Sequence, residues 1–116
     1  MRQLRQGAML ALITVLLGVG GYSATAQRIE IVAKRFQFTP DHVTLKKDVP
    51  VVLVFRSEDV THGIAIKEFN VKADIHKGRE TEVPVTPHAV GTFVGKCAHF
   101  CGTGHGRMQL TIDVSE

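Results

Sequence analysis

From Met108 to Val114 the chain alternates without a break: Met108, Leu110, Ile112 and Val114 are apolar, while Gln109, Thr111 and Asp113 are polar. Successive side chains of an extended strand point to opposite faces, so this run predicts a half-buried strand with its four apolar residues turned inward. The same pattern recurs in short pieces along the chain. Arg28 to Val32 alternates, Phe36 to Phe38 continues before the turn residues Thr39-Pro40-Asp41, and His42 to Leu45 alternates again before Lys46-Lys47-Asp48. Val49 to Phe55 is an apolar run broken only by Pro50, the mark of a buried strand entered from an edge. Gly63–Ile66, Thr81–Val85 and Gly91–Cys97 complete the set, and only Phe69 to Ile75 reads both ways. Nothing shows sustained helical periodicity, an internal repeat or a low-complexity tract. Short, regularly spaced strands separated by turns predict an all-β fold, an antiparallel sandwich or barrel.

The beginning of the chain stands apart from this pattern. Arg2 and Arg5 form a positive head, Ala8 to Gly21 is uncharged and mostly apolar, and Ala24-Thr25-Ala26 offers small residues for cleavage before Gln27. That order is the signature of a secretory signal peptide. The expected division is a leader, 1–26, and a domain, 27–116. The dense apolar stretch falls short of the ~20 residues that span a bilayer. Cleavage leaves a periplasmic or secreted domain without a membrane span, whereas an uncleaved leader makes a membrane anchor. Twelve of the fourteen basic residues and all eleven acidic ones fall from Gln27 onward, so the domain's net charge is +1 with His neutral. It has no basic run and no interleaved Trp or Tyr, which argues against a nucleic-acid partner. Ninety residues bury a modest core, so a bound metal would add to stability.

The chemistry concentrates in one connection. Between the strand ending near Lys96 and the one starting at Met108 runs Cys97-Ala98-His99-Phe100-Cys101-Gly102-Thr103-Gly104-His105-Gly106-Arg107-Met108. Two thiols, an imidazole and a thioether within this loop suit copper and not the oxygen-seeking Mg or Ca. Gly102, Gly104 and Gly106 let the loop turn tightly and bring backbone close to a metal. So short a loop cannot enclose an ion alone, and His62, at the head of the Gly63–Ile66 strand, is the candidate donor from elsewhere. Three other readings compete. A Cys97–Cys101 disulfide is the default for an exported pair, but leaves the spacing of His62, His105 and Met108 unexplained. A Cys2His2 zinc site fits the donor count and makes Met108 mere core. A mononuclear blue-copper site of His62, Cys101, His105 and Met108 leaves Cys97 an unprotected thiol.

Cys-x3-Cys-x3-His-x2-Met, with Asp59-Val60-Thr61-His62 upstream, resembles the dinuclear copper (CuA) domain of cytochrome c oxidase subunit II and of nitrous-oxide reductase. Phe69 to Asp74, Gly78-Arg79 and Gly91 through Met108 fall in the matching order. The resemblance implies a cupredoxin-like Greek-key β-sandwich and a centre of two copper ions. It assigns Cys97 and Cys101 as bridging thiolates, with His62 and His105 giving one imidazole each. Met108 is then a weak sulfur ligand. The backbone carbonyl of His99, where the family usually carries Glu, is the weak ligand opposite.

The implied function is an exported electron carrier that moves single electrons by outer-sphere transfer and is not itself an enzyme. Its expected partner is a redox protein such as a cytochrome c or a terminal oxidase or reductase. The alternative is a periplasmic chaperone that delivers copper to such an enzyme. The chain departs from the family in having a removable leader where subunit II has two membrane helices, no Trp for electron entry, and no acidic face for a basic cytochrome c. These departures point to a free-standing domain. Asp59 is read as orienting His62 or capping a turn, Phe100 as covering the centre or plugging the sandwich. His42, His76 and His88 are read as solvated.

Overall fold

The computed structural model describes residues 26–116; apart from Ala26, the expected leader lies outside the described residues. Nine strands form among the described residues: β1 Gln27–Lys34, β2 Gln37–Thr39, β3 His42–Lys46, β4 Val51–Ser57, β5 His62–Ile66, β6 Val71–Ile75, β7 Thr81–Val85, β8 Gly91–Lys96 and β9 Gln109–Ser115. They make two sheets, ordered β2-β1-β4-β7 and β3-β9-β8-β5-β6. The chain crosses repeatedly from one sheet to the other, which gives the cupredoxin-like Greek-key sandwich. Among the described residues no helix is long and apolar enough to cross a membrane.

The alternation does what the sequence requires. Leu110, Ile112 and Val114 of β9 face inward, with Met108 just ahead of them, all at most 4% exposed. They meet Leu53 and Phe55 of β4 and Ile31 and Ala33 of β1 across the sandwich. Phe38 and Phe55 pack edge to face at 6.2 Å, the arrangement that aromatic quadrupoles favour.

Three details differ from expectation. The sheets are mixed, not antiparallel: β1 runs parallel to β4, and β3 parallel to β9. Strand periodicity carries no direction. Direction is decided by which strands the crossovers bring side by side, and here each parallel pair is joined through the opposite sheet. The strand expected from Val49 starts at Val51, because Asp48 turns the chain at φ 61° and Pro50 has no N–H for the ladder. Val49 is consequently 43% exposed. The ambiguous segment resolves into a 3-10 turn, Lys67–Phe69, closed by Asn70 at φ 54°, and then β6. His42 and His88 are exposed, as read, and pair with Asp113 and Asp48 at 2.5 and 3.0 Å.

One pole of the sandwich gathers the far ends of several strands. β4 ends there and β5 begins, and the β8–β9 loop is closed by the Cys97 N–H donating to the Met108 carbonyl at 3.1 Å. The β1–β2 turn, Arg35 and Phe36, reaches the same pole beside Glu58, whose N–H donates to Ala33 at 3.0 Å.

Candidate metal centre

His62 opens β5 on its inward face and is fully buried. Gly63 beside it permits this seat, because a Cβ there would stand 3.0 Å from the His99 nitrogen and 3.1 Å from the Ala73 carbonyl oxygen. Cys97 and Cys101, from the loop across the sheet, are 5% and 4% exposed. The donor atoms of His62, Cys97 and Cys101 all lie within 4.8 Å of one another.

The donors lie in close pairs. Cys97 Sγ lies 3.9 Å from His62 Nδ1, the two sulfurs are 3.9 Å apart, and Cys101 Sγ lies 3.9 Å from His105 Nδ1. Met108 Sδ adds a further sulfur 3.9 Å from Cys101 Sγ, and the His99 carbonyl oxygen lies 3.2 Å from Cys97 Sγ. With metal–sulfur and metal–nitrogen bonds of roughly 2.0–2.3 Å, two donors on one ion stand roughly 3.3–4 Å apart. The donor set therefore fits a soft, thiolate-binding metal in both chemistry and spacing. The cysteines are free thiols, far beyond the ~2.05 Å of a disulfide bond. All six residues singled out in the sequence meet at this pole, His99 through its backbone.

Residues 16–115 match the family model of the cytochrome c oxidase subunit II periplasmic domain. The chain belongs to this family. It is a cupredoxin domain of the CuA type. A protein of Streptomyces avermitilis named "Probable cytochrome c oxidase subunit 2" is 40% identical over 70 residues, which is 60% of this chain but 22% of that relative's length. The chain thus spans well under half of the curated relatives that it matches. The periplasmic domain of subunit II of cytochrome oxidase from Bradyrhizobium japonicum superposes with a TM-score of 0.72 at 21% identity, covering 78% of this chain and 84% of that one. A third neighbour, a mixed disulfide between a thioredoxin-like protein and subunit II of cytochrome c oxidase, gives a TM-score of 0.66 at 20% identity over 78% and 82% of the two chains.

In this CuA-type domain Asp59 does both things expected of it. Its Oδ1 accepts the Val60 N–H and the His62 Nε2–H, each at 2.7 Å, and its Oδ2 accepts the Arg35 N–H at 2.8 Å. Burial pushes this carboxyl up, but hydrogen bonds from Arg35, His62 and Val60 outweigh it and hold the group at about 2. An ionised carboxylate can only accept, so His62 carries its proton on Nε2 and turns the Nδ1 lone pair toward Cys97. Burial and the neighbouring Cys97 push the Cys101 thiol up to about 11, against the opposing charge of Arg35. A metal entering here must displace that proton. Asp59→Ala should weaken copper binding by about 10–100-fold, the usual cost of losing a carboxylate behind a histidine ligand. Competition with a chromophoric Cu(I) chelator measures this directly.

The loop glycines have another reason for being there. A Cβ on Gly102 or Gly104 would meet the Phe36 ring at 2.9 or 2.4 Å, whereas one on Gly106 would meet nothing within 4 Å. It is thus an aromatic ring that the loop backbone approaches at these two positions. Phe36 was expected within a strand and instead occupies the β1–β2 turn, with its ring against the loop. Its neighbour Arg35 donates from Nε to the Cys101 carbonyl at 2.8 Å, across 66 residues of sequence. Neither residue carries a sequence signal, since an arginine and an aromatic beside a turn suit any hairpin. Phe100 does not plug the sandwich: it is 72% exposed, its ring 5.7 Å from that of half-buried His105.

Proposed function

We propose that this domain holds two copper ions and passes single electrons between protein partners by outer-sphere transfer. The observation that carries the reading is two sulfurs side by side, with His62 close to both and His105 beside Cys101. A single tetrahedral ion calls for four donors converging on one point, whereas here His62, Cys97 and Cys101 converge and His105 stands apart beside Cys101, which supports a second position next to the first. Cys97 and Cys101 would bridge, and His62 and His105 would each serve one ion. Met108 and the His99 carbonyl would complete the set as weak ligands. Copper bound there supplies a one-electron couple that thiolate and imidazole ligands tolerate in both oxidation states.

The chain's own residues do the rest. Burial of His62, Cys97, Cys101 and Met108 keeps water from the centre. Asp59 fixes the His62 tautomer, and the two sheets hold the ligands in place whichever oxidation state is present. The donor set leaves no polar group free to bind or activate a substrate, which supports a carrier over an enzyme. The partially exposed edge of His105, flanked by Phe100, is the route by which an electron leaves.

The family's periplasmic placement supports an exported domain, with a cytochrome c or a terminal oxidase or reductase as its redox partner. The relative caught in a mixed disulfide with a thioredoxin-like protein supports a second contact, a reductant that keeps the two cysteines available for metal. Deep burial of both cysteines favours keeping copper over handing it on, against the chaperone reading. Electron paramagnetic resonance of the copper-loaded protein tests the proposal. Hyperfine structure from two equivalent copper nuclei, with two coppers bound per chain, is the expected result. Coupling to one nucleus at one copper per chain overturns it.

A further inference from the structure

The turn between β1 and β2 touches both halves of the centre. Arg35 Nε donates to the carbonyl of Cys101, while the Arg35 backbone N–H donates to the carboxylate that orients His62, each at 2.8 Å. Next to it, the Phe36 ring lies against Gly102 and Gly104, the backbone that leads from Cys101 to His105. One two-residue turn therefore restrains the backbone of one cysteine directly and the His62 imidazole through Asp59. Among the described residues the Arg35 guanidinium forms no ion pair, while the Asp59 carboxylate acts on Cys101 with the opposite sign.

We propose that Arg35 is a positioning residue of the copper centre: it fixes Cys101 through its carbonyl and, by its positive charge, holds the reduction potential of the bound copper up. This rests on the copper reading above. Its two parts have separate physical causes. The first is geometric. The Cys101 carbonyl lies just before the Gly102–Gly104 stretch, and without the Nε–H bond the loop is set by its own backbone bonds and the Phe36 contact. A fixed donor there makes the site ready before metal arrives, so fewer degrees of freedom are lost on binding. The second is electrostatic. Reduction lowers the positive charge of the centre by one, and a fixed cation nearby stabilises the reduced form relative to the oxidised one.

Two exchanges at this exposed position separate the parts in the full chain. Arg35→Gln removes both the Nε–H donor and the charge; Arg35→Lys removes that donor and keeps the charge. With copper bound, Arg35→Gln should show a lower midpoint potential in spectroelectrochemical titration, while Arg35→Lys stays near the parent. Both should release copper to a Cu(I) chelator several-fold faster. In the metal-free protein both should shift the amide resonances of Cys101 and Gly102 while leaving those of β3 and β7 in place, a readout that needs no metal. Unchanged resonances in both variants overturn the positioning role. A parent-like potential in Arg35→Gln overturns the electrostatic one. Failure of the copper reading shows itself differently, as a parent chain without a two-copper signal, and leaves the metal-free measurement to decide the clamp.

Discussion

Cys97→Ser should abolish the two-copper signal and reduce the bound metal to at most one copper per chain. Cys97 Sγ lies 3.9 Å from both His62 Nδ1 and Cys101 Sγ, so it supplies one of the two adjacent sulfurs that His62 faces. A serine hydroxyl is a hard, protonated donor at neutral pH and does not bridge a soft metal as a thiolate does. Its removal leaves Cys101, His105 and Met108 as a compact remainder able to hold a single ion. The change is nearly isosteric, and an unpaired hydroxyl at a 5% exposed position costs about 1–3 kcal/mol, so the sandwich should still fold. Metal analysis together with paramagnetic resonance checks the outcome. A two-copper hyperfine pattern that survives the exchange would remove Cys97 from the centre.

Gly104→Ala should be damaging well beyond the size of the change. Gly104 has an ordinary φ of −88°, so alanine is conformationally acceptable there. Space is the obstacle: the added Cβ would lie 2.4 Å from the Phe36 ring. Either the ring leaves its seat or the loop lifts away from it, and overpacking of this kind costs about 1–3 kcal/mol. His105 follows immediately, so the displaced loop should also lose copper readily. Phe36→Ala removes the ring and should be destabilising alone. Combined with Gly104→Ala it should recover part of the loss, because the clash disappears, giving a non-additive cycle in urea unfolding. Strict additivity of the two changes would show that ring and loop are not in contact.

Some of this was open to reading from residues alone. β3 and β9 follow from alternation because one face of each is buried between the two sheets, and a strand with one buried face must alternate. The inward phase of Met108, Leu110, Ile112 and Val114 was legible for that reason. So was the donor loop, since Cys97, Cys101, His105 and Met108 lie within twelve residues and their residue types alone select a soft metal. His62 was reachable by its place at the head of a strand, thirty-five residues from Cys97.

Other features belong to the tertiary structure. The parallel pairing of β1 with β4 and of β3 with β9 depends on which strands the crossovers place side by side, and periodicity is blind to direction. The role of Asp59 was ambiguous in sequence because a turn-capping carboxylate and a histidine-orienting one look alike; here one carboxylate does both. Arg35 and Phe36 lie far from the loop along the chain and meet it only because the β1–β2 turn reaches the same pole. The sequence by itself determined the class of fold and the chemical type of the metal donors, since both follow from local pattern and residue chemistry. The tertiary structure decided how those donors line up and what holds them there, since these contacts join segments that the chain keeps apart.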